Sequence, residues 1–324
     1  MTSSSTVKGA WRFLVVLNPI AGKGKALKLA PKIEEFLKAG GAGYEILFTK
    51  SAGHGIELVQ NLPLDKDTAV VAAGGDGTCN EVVNGLLRRK RDFPEPPLMG
   101  ILPIGRGNDF TSSTRIPTDV EGALRTLVAG EYRTIDAGKV TGGYYPQGRY
   151  FINGVGIGFD TMVGLEAAKL HVQSGLAYAL GAIKMAVTFP PSPILEVHWT
   201  EQSPETGEAV EKSQTLPAII ASIMNGRRMG GSFFMGPDAR LDDGALDLCM
   251  AEHRSRSQVV KIILHYTKGT QHLCGGVTKA RSLRYTFKAL EGGMVAHSDG
   301  ETICLDGKDL EVECVPGCLR LIGA

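Results

Sequence analysis

The stretch Ala69-Val70-Val71-Ala72-Ala73-Gly74-Gly75-Asp76-Gly77-Thr78 joins an apolar run to a turn of small residues. A short, continuous apolar run is typical of a strand that is buried on both faces. Apolar residues then recur at helical spacing, at Val82, Val83, Leu86 and Leu87. Small residues at a strand–helix turn let backbone N–H groups approach phosphate oxygens, and a helix N-terminus favours negative charge. The stretch predicts a phosphate-binding turn; a tight structural turn is the alternative.

Asp76 has a separate expected role in this turn. Its carboxylate would repel a phosphate group, so we do not expect it to bind phosphate directly. Carboxylate oxygens are ligands that Mg²⁺ prefers, and a magnesium ion could bridge Asp76 to the phosphates. The pattern GxxxxGK[ST] of a Walker A loop is absent from this turn.

Two further glycine-containing loops follow predicted strands. One is Asn18-Pro19-Ile20-Ala21-Gly22-Lys23-Gly24-Lys25, after the apolar run 13–17. The other is Leu102-Pro103-Ile104-Gly105-Arg106-Gly107-Asn108-Asp109, at the end of the run 98–102. Because open parallel sheets bind ligands at the carboxyl ends of their strands, three such loops form a stronger signal than one. For the first loop, an ordinary turn with solvated lysines is the alternative.

The order of the predicted elements indicates two domains. Strand and helix patterns alternate over the first third of the chain, which predicts a doubly wound α/β domain with a mostly parallel sheet over residues 1–132. Short strand patterns separated by Gly, Pro, Asp and Asn then predict a β-rich sandwich over residues 133–324, interrupted by one helix at 176–189. The sequence also allows the extreme C-terminus to pack back on the first domain.

Composition excludes several classes of protein. The net charge of +1 gives no overall attraction to nucleic acid, and no stretch of 18 or more residues is apolar and free of charge. The six cysteines form no CxxC pair, which favours a reducing compartment over a disulfide framework. We therefore expect a cytoplasmic protein without a transmembrane segment and without a nucleic-acid partner, and leave peripheral membrane contact open.

Two acidic motifs lie in the second domain. Ser298-Asp299-Gly300-Glu301 offers two carboxylates for proton transfer or orientation, although Asp-Gly is also common in β-turns. Residues 237–247 carry Asp238, Asp242, Asp243 and Asp247, which could hold a hard cation or form a solvated acidic turn.

Taken in order, these motifs resemble the diacylglycerol kinase catalytic family, in particular soluble bacterial lipid kinases related to sphingosine and ceramide kinases. The resemblance runs through nearly the whole chain. Its further motifs are Asn80-Glu81 with Gly85, Pro103 to Phe110, Asn153 with Gly156 and Asp160, Gly175 to Tyr178, Pro237 with Asp243-Gly244, and Asp299-Gly300-Glu301.

The resemblance implies an ATP-dependent lipid kinase with its active site between an N-terminal nucleotide domain and a β-sandwich. Glu301, coupled with Asp299, matches the proton acceptor, and Asp76 would organise the catalytic magnesium. The implied nucleotide-binding residues are Asn18, Gly22, Lys25, Thr49, Gly74, Gly75, Asp76, Gly77, Thr78, Cys79, Asn80, Arg106 and Asn108. A second, structural Mg²⁺ is implied at the carboxylate of Asp243 and the backbone oxygens of Arg240 and Ala245.

Several expectations about the substrate follow from the resemblance. The implied acceptor is a lipid hydroxyl at a membrane surface, with diacylglycerol converted to phosphatidic acid, and a homodimer is compatible with the family. Arg106 departs from the threonine of many relatives, which weakens its assignment. The helix 176–189, residues 233–235 and Met224 are candidates for the walls of a lipid cleft, with ordinary core packing as the alternative.

Two other functions stay open at this point. A NAD kinase-like phosphotransferase shares the Gly-Gly-Asp-Gly-Thr turn, but does not account for residues 103–110 or for the Asp299-Gly300-Glu301 motif. A non-catalytic nucleotide-binding regulator could have the same fold, although the retention of Asp76, Asp299 and Glu301 argues against it.

Overall fold

The computed structural model describes residues 11–89, 92, 94–169, 188, 191–202, 208–231 and 233–324. It divides into two compact units. The first comprises Met1–Ala137 together with Pro316–Ala324, and the second comprises Gly138–Val315. The boundary drawn from sequence, between residues 132 and 133, lies five residues before this one (137 − 132), and the last nine residues belong to the first unit. The sequence-predicted helix at 176–189 lies outside the described residues, Thr188 excepted.

The first unit is a parallel sheet with helices between its strands. Its strands are β1 (Arg12–Leu17), β2 (Tyr44–Phe48), β3 (Thr68–Gly74) and β4 (Leu98–Pro103), in the order β2-β1-β3-β4. Its helices are α1 (Ala21–Ala39), α2 (His54–Asn61), α3 (Asp76–Arg88) and α4 (Val120–Ala129). β3 and β4 are buried along their whole length, as their continuous apolar runs predict. The alternation of strands and helices therefore gives the predicted α/β architecture.

The end of the chain completes the first unit. Strand β15 (Asp309–Ile322) has its last residues in this unit, where Arg320 and Leu321 pair in parallel with Leu98 and Met99 of β4. The Arg320 guanidinium donates to the Pro96 carbonyl at 2.6 Å and pairs with Glu95 at 2.8 Å. The chain therefore returns to the first sheet after building the second unit.

The second unit is built from antiparallel strands. They are β6 (Tyr145–Phe151), β7 (Gly154–Gly158), β8 (Ile194–Gln202), β9 (Ala209–Met224), β10 (Leu246–Glu252), β11 (Val277–Ser282), β12 (Arg284–Glu291), β13 (Met294–Ser298) and β14 (Glu301–Gly307). β5 (Tyr132–Gly142) begins in the first unit, and its second half pairs with β6. The early part of β9 pairs with β8, and its later part pairs with β7 and β10. Phe151, Leu195, Tyr285 and Phe287 lie in the enclosed core.

Within the described part of this unit, two α-helices accompany the β structure: α5 (Phe159–Lys169) and α6 (Arg256–Tyr266). The sequence patterns did not predict α6, which packs Val259, Ile262 and Tyr266 into a second apolar cluster with Ile219 and Met224. An α/β unit followed by a β-sandwich-like unit confirms the predicted fold class. Among the described residues, no helix is both long enough and apolar enough to cross a bilayer.

Candidate functional site

Three loops at the carboxyl edge of the first sheet are in close contact. The loop after β4 reaches back to β3, because the N–H groups of Ile104 and Gly105 donate to the Gly74 carbonyl at 2.8 and 3.0 Å. A Cβ atom on Gly75 would lie 3.1 Å from the Cα of Gly105. A Cβ atom on Gly22 would lie 2.6 Å from the Ile104 carbonyl oxygen. Glycine at these positions lets the backbones of the three loops meet at the carboxyl edge of the sheet.

Asp76 is the first residue of α3 and faces the loop after β4. One of its carboxylate oxygens accepts a hydrogen bond from the Phe110 N–H at 3.3 Å. Asn108 supports the same loop, since its side-chain amide donates to the Gly105 carbonyl at 3.1 Å and its backbone has φ of 50°. Asp76 is therefore held at the helix N-terminus beside the three loops.

The other predicted nucleotide-binding residues differ in exposure. Lys23, Lys25 and Arg106 are exposed on the loops, and Lys23 follows Gly22 in a left-handed turn with φ of 61°. Asn18 accepts the Ile20 N–H at 3.2 Å and so shapes the first loop. By contrast, the side chains at the end of β2 and in the first turns of α3 are buried: Thr49, Thr78, Cys79 and Asn80. These four residues can contribute core packing and backbone groups to the site, whereas the three cationic residues expose their side chains to solvent.

Glu81 belongs to a motif quoted above, and its contacts make it a positioning residue. Its two carboxylate oxygens accept the N–H groups of Gly53 and Gly55, each at 2.7 Å. These glycines lie at the start of α2, directly after the loop that follows β2. Glu81 thus fixes that loop against α3. The Asn80-Glu81 motif contains this residue, but nothing in the sequence indicated its contact with the loop after β2.

Asp299 organises a tight turn in the second unit. Its carboxylate accepts three backbone N–H groups, from Ile152 at 3.0 Å, Asn153 at 3.1 Å and Gly154 at 2.9 Å. Its own backbone has φ of 47°, a left-handed conformation that Asp tolerates better than most residues. Glu301, two positions on, is exposed, and its side chain has no hydrogen bond or ion pair with any described residue. The two carboxylates of this motif therefore occupy different environments.

His297 and Asp160 extend this turn. The Gly300 N–H donates to His297 Nδ1 at 3.3 Å, and His297 Nε2 lies 3.6 Å from an Asp160 carboxylate oxygen. Both side chains are largely buried, at 13% and 15% exposure. Asp160 belongs to a motif quoted above, but the 137 positions between it and His297 hide their proximity from sequence (297 − 160).

The acidic segment 237–247 offers a poor fit to a structural cation. Arg281 forms an ion pair with the Asp243 carboxylate, Arg240 approaches the same oxygen at 3.9 Å, and the Ala245 N–H donates to the other oxygen at 3.3 Å. Burial, and then the charge of Asp238, raise the pKa of Asp247 to about 6. A cation held by Asp243 would have to displace Arg281, so magnesium at this place stays a prediction.

The first unit suits a magnesium ion that arrives with a nucleotide. Within the described ranges, no group of three or more His, Cys, Asp or Glu side chains is arranged to hold a metal. Mg²⁺ commonly takes one or two carboxylates and completes its shell with phosphate oxygens and water. Asp76 provides such a carboxylate beside the three loops.

Comparison with known proteins gives matches over both units. Residues 12–140 match the family described as diacylglycerol kinase catalytic domain, and residues 153–323 match the YegS C-terminal NAD kinase beta sandwich-like domain. The diacylglycerol kinase of Bacillus subtilis is 30% identical over 264 residues, 80% of this chain and 79% of that protein. The diacylglycerol kinase of Staphylococcus saprophyticus is 29% identical over 277 residues, 84% of each protein. A solved structure of a diacylglycerol kinase from Bacillus anthracis shares the fold, with a TM-score of 0.66, 20% identity and 98% coverage of each chain.

Proposed function

The chain belongs to the diacylglycerol kinase catalytic domain family, and on this basis we propose that it phosphorylates diacylglycerol to phosphatidic acid. Membership makes it a lipid kinase, a phosphotransferase with an alcohol acceptor and ATP as donor. The observation that carries the choice of acceptor is the name diacylglycerol kinase on relatives that align with about four-fifths of the chain.

On the donor side, the ATP phosphates bind the loops after β1, β3 and β4. The close approach of Gly75 to Gly105 and of Gly22 to Ile104 brings the three loops together beside the N-terminus of α3, where the helix dipole favours a phosphate group, and this supports the assignment. Lys25 and Arg106, both exposed on these loops, provide positive charge. Asp76 holds a magnesium ion, which when bound neutralises charge on the transferring phosphoryl group.

On the acceptor side, Glu301 is the general base. A lipid hydroxyl is a weak nucleophile at neutral pH, so a carboxylate must accept its proton as the new O–P bond forms and the bond to ADP breaks. The exposed, unpartnered side chain of Glu301 suits this role. The Asp299 carboxylate, occupied by three backbone N–H groups, instead holds the turn that presents Glu301.

The reaction takes place at a membrane surface, where diacylglycerol resides. We propose that the protein works there as a peripheral enzyme on the cytoplasmic side. What supports this is the lipid acceptor for which the relatives are named.

The test is transfer of labelled phosphate from ATP in mixed micelles to diacylglycerol, monoacylglycerol, sphingosine, ceramide and phosphatidylglycerol, with NAD as a soluble acceptor. We expect diacylglycerol to be the preferred acceptor. Glu301→Ala should lower kcat by about 10²- to 10⁴-fold, the usual range for loss of an acid–base group. Asp76→Ala should also lower kcat strongly, because the carboxylate proposed to hold magnesium is lost. Transfer to NAD but to no lipid would contradict the proposal, and near-normal activity of either variant would remove that residue from its role.

A further inference from the structure

Helix α6 has one apolar face turned inward and another turned outward. Val259, Ile262 and Tyr266 are buried in the second apolar cluster. Val260 and Leu264, four positions apart, are 49% and 57% exposed. With 3.6 residues per turn, these two side chains share one stripe on the side of the helix away from the buried residues. Solvent-exposed helix faces normally carry polar residues, and this stripe departs from that pattern.

The chain that follows α6 adds a third exposed apolar side chain. Leu273 is 68% exposed, and its segment lies along the helix. His265 Nδ1 is 2.8 Å from Thr270 Oγ1 near one end, and the Gln258 side-chain amide donates to the Gly275 carbonyl at 2.8 Å near the other. These contacts place Leu273 on a segment that borders α6. Leu273 is thus on the side of Gln258 and His265, and Val260 and Leu264 alone form the apolar part of what we call the α6 face.

The charge around these residues is strongly one-sided. Residues 253–290 contain eight Lys and Arg residues and no Asp or Glu, in a chain whose net charge is +1. Four of these cations are exposed in or beside α6 and complete the α6 face: Arg254, Arg256, Lys261 and Lys268.

Neighbouring carboxylates reduce this charge only in part. Glu252 pairs with Arg254 at 2.6 Å. Asp238, whose charge acts on His272, pairs with Lys279 at 2.6 Å. Lys261 and Lys268 form no ion pair with any carboxylate in the part of the chain that the structure describes. The α6 face therefore combines exposed apolar side chains with the positive charge of Lys261 and Lys268, which no carboxylate of the described residues pairs.

We propose that the α6 face docks the protein on a bilayer that contains anionic phospholipid. Apolar side chains on one side of a helix enter the acyl–headgroup boundary, and flanking Lys and Arg residues pair with anionic headgroups. A symmetric contact with a second copy of the chain fits less well, because it would bring two cationic rims together. This inference rests on the proposed lipid substrate, since docking matters only for an acceptor held in a membrane.

Vesicle binding without ATP or diacylglycerol tests the docking apart from catalysis. The full chain is sedimented with vesicles of phosphatidylcholine alone or mixed with phosphatidylglycerol. We expect binding to the mixed vesicles, weakened as salt rises from about 0.1 M to about 1 M and the Debye length falls from about 10 Å to about 3 Å. Equal binding to both vesicle types would overturn the proposal.

Two variants separate charge from apolar contact. Lys261→Gln with Lys268→Gln should weaken binding to mixed vesicles about 25-fold, since each cation near an anionic surface contributes about fivefold. Val260→Ser with Leu264→Ser should also weaken binding, by about tenfold or more. The matched controls are Lys288→Gln and Leu305→Ser, an exposed cation and an exposed leucine (51%) outside the α6 face, which should bind as wild type does. Each variant is first checked for an unchanged thermal unfolding curve.

Activity in detergent micelles completes the test. The charge variant should phosphorylate diacylglycerol in micelles at the wild-type rate and lose activity only on vesicles. If both α6 variants bind vesicles as wild type does, the docking proposal fails, whatever the activity. If the apolar variant instead changes the oligomeric state without altering vesicle binding, a second copy covers the α6 face and the proposal is again overturned. Binding that follows the expected pattern without lipid phosphorylation would contradict the proposed function and leave the docking in place.

Discussion

At the scale of single residues, the two carboxylates of the Asp299-Gly300-Glu301 turn should respond differently to loss of charge. Asp299→Asn removes a charged acceptor from three backbone N–H groups, so we expect the free energy of unfolding to fall by about 1–3 kcal/mol. Glu301→Gln removes an exposed, unpartnered carboxylate. It should leave the free energy of unfolding unchanged and lower kcat by about 10²-fold or more.

Thermal unfolding and steady-state kinetics on the same preparations separate these two outcomes. The control is Asp306→Asn, whose side chain is 76% exposed on strand β14 of the same hairpin and should change neither quantity measurably. If Asp299→Asn unfolds like wild type while its kcat falls as far as that of Glu301→Gln, the separation of roles is wrong.

Some features of single residues could be predicted from the sequence, and others could not. Gly74, Gly75 and Asp76 could be found because they are neighbours in the chain and their chemistry is explicit in one turn. The contacts of His297 with Gly300 and Asp160 could not be found, because they depend on the antiparallel register that puts His297 opposite Gly156. The ion pair of Arg281 with Asp243 was hidden for the same reason, since β10 and β11 must first pair.

At the scale of secondary-structure elements, Gly85 sets the distance between α2 and α3. A Cβ atom at this position would lie 2.5 Å from Val59 Cβ and 3.1 Å from the Ile56 carbonyl oxygen. Because one of these atoms belongs to the backbone, α2 would have to move. We therefore expect Gly85→Ala to lower the free energy of unfolding by about 1–3 kcal/mol, despite the higher helix propensity of alanine.

Gly77 provides a matched control in the first turn of the same helix. A Cβ atom at Gly77 meets nothing within 4 Å, so Gly77→Ala should be neutral or stabilising by up to about 1 kcal/mol. The chain has two tryptophans, Trp11 in the first unit and Trp199 in the second. In a Trp199→Phe background, urea titration followed by Trp11 fluorescence reports on the first unit alone. Equal unfolding midpoints for the two alanine variants would refute the close-packing argument.

A strand or helix could be predicted from the sequence where the pattern of its own residues identified it. β1, β3 and β4 were predicted from sequence because a strand buried on both faces is a continuous apolar run. Helix α6 was missed because its outward positions carry Val260 and Leu264, which obscure the helical period that the buried residues set. The early half of β9 was missed because residues 209–215 are mostly polar, and only pairing with β8 makes them a strand.

At the scale of the whole molecule, the first unit is made from two distant segments of chain. The final residues, 316–324, supply Leu319, Leu321 and Ile322, each no more than 1% exposed, and the Gly317 N–H donates to the Asp136 carboxylate at 2.7 Å. From the sequence, the domain boundary is placed where the type of secondary structure changes, near Tyr132. The sequence patterns carry little information on where a later strand returns to the first sheet. The position of β15 next to β4 is therefore a tertiary property that local sequence does not encode.

The discontinuous unit predicts how isolated fragments behave. A fragment of residues 1–137 lacks these three buried aliphatic side chains, and the burial of each contributes about 1.5–3 kcal/mol. Their combined contribution is comparable to the free energy of unfolding of a typical domain, about 5–15 kcal/mol. We expect this fragment to be unfolded or aggregated. A second fragment that joins residues 1–137 to 316–324 through a short Gly/Ser linker should unfold cooperatively in urea. Trp11, which is 8% exposed in the folded unit and is the only tryptophan of either fragment, provides the fluorescence signal. Cooperative unfolding of the 1–137 fragment with the same midpoint as the linked fragment would show that the returning strand is dispensable for the first unit.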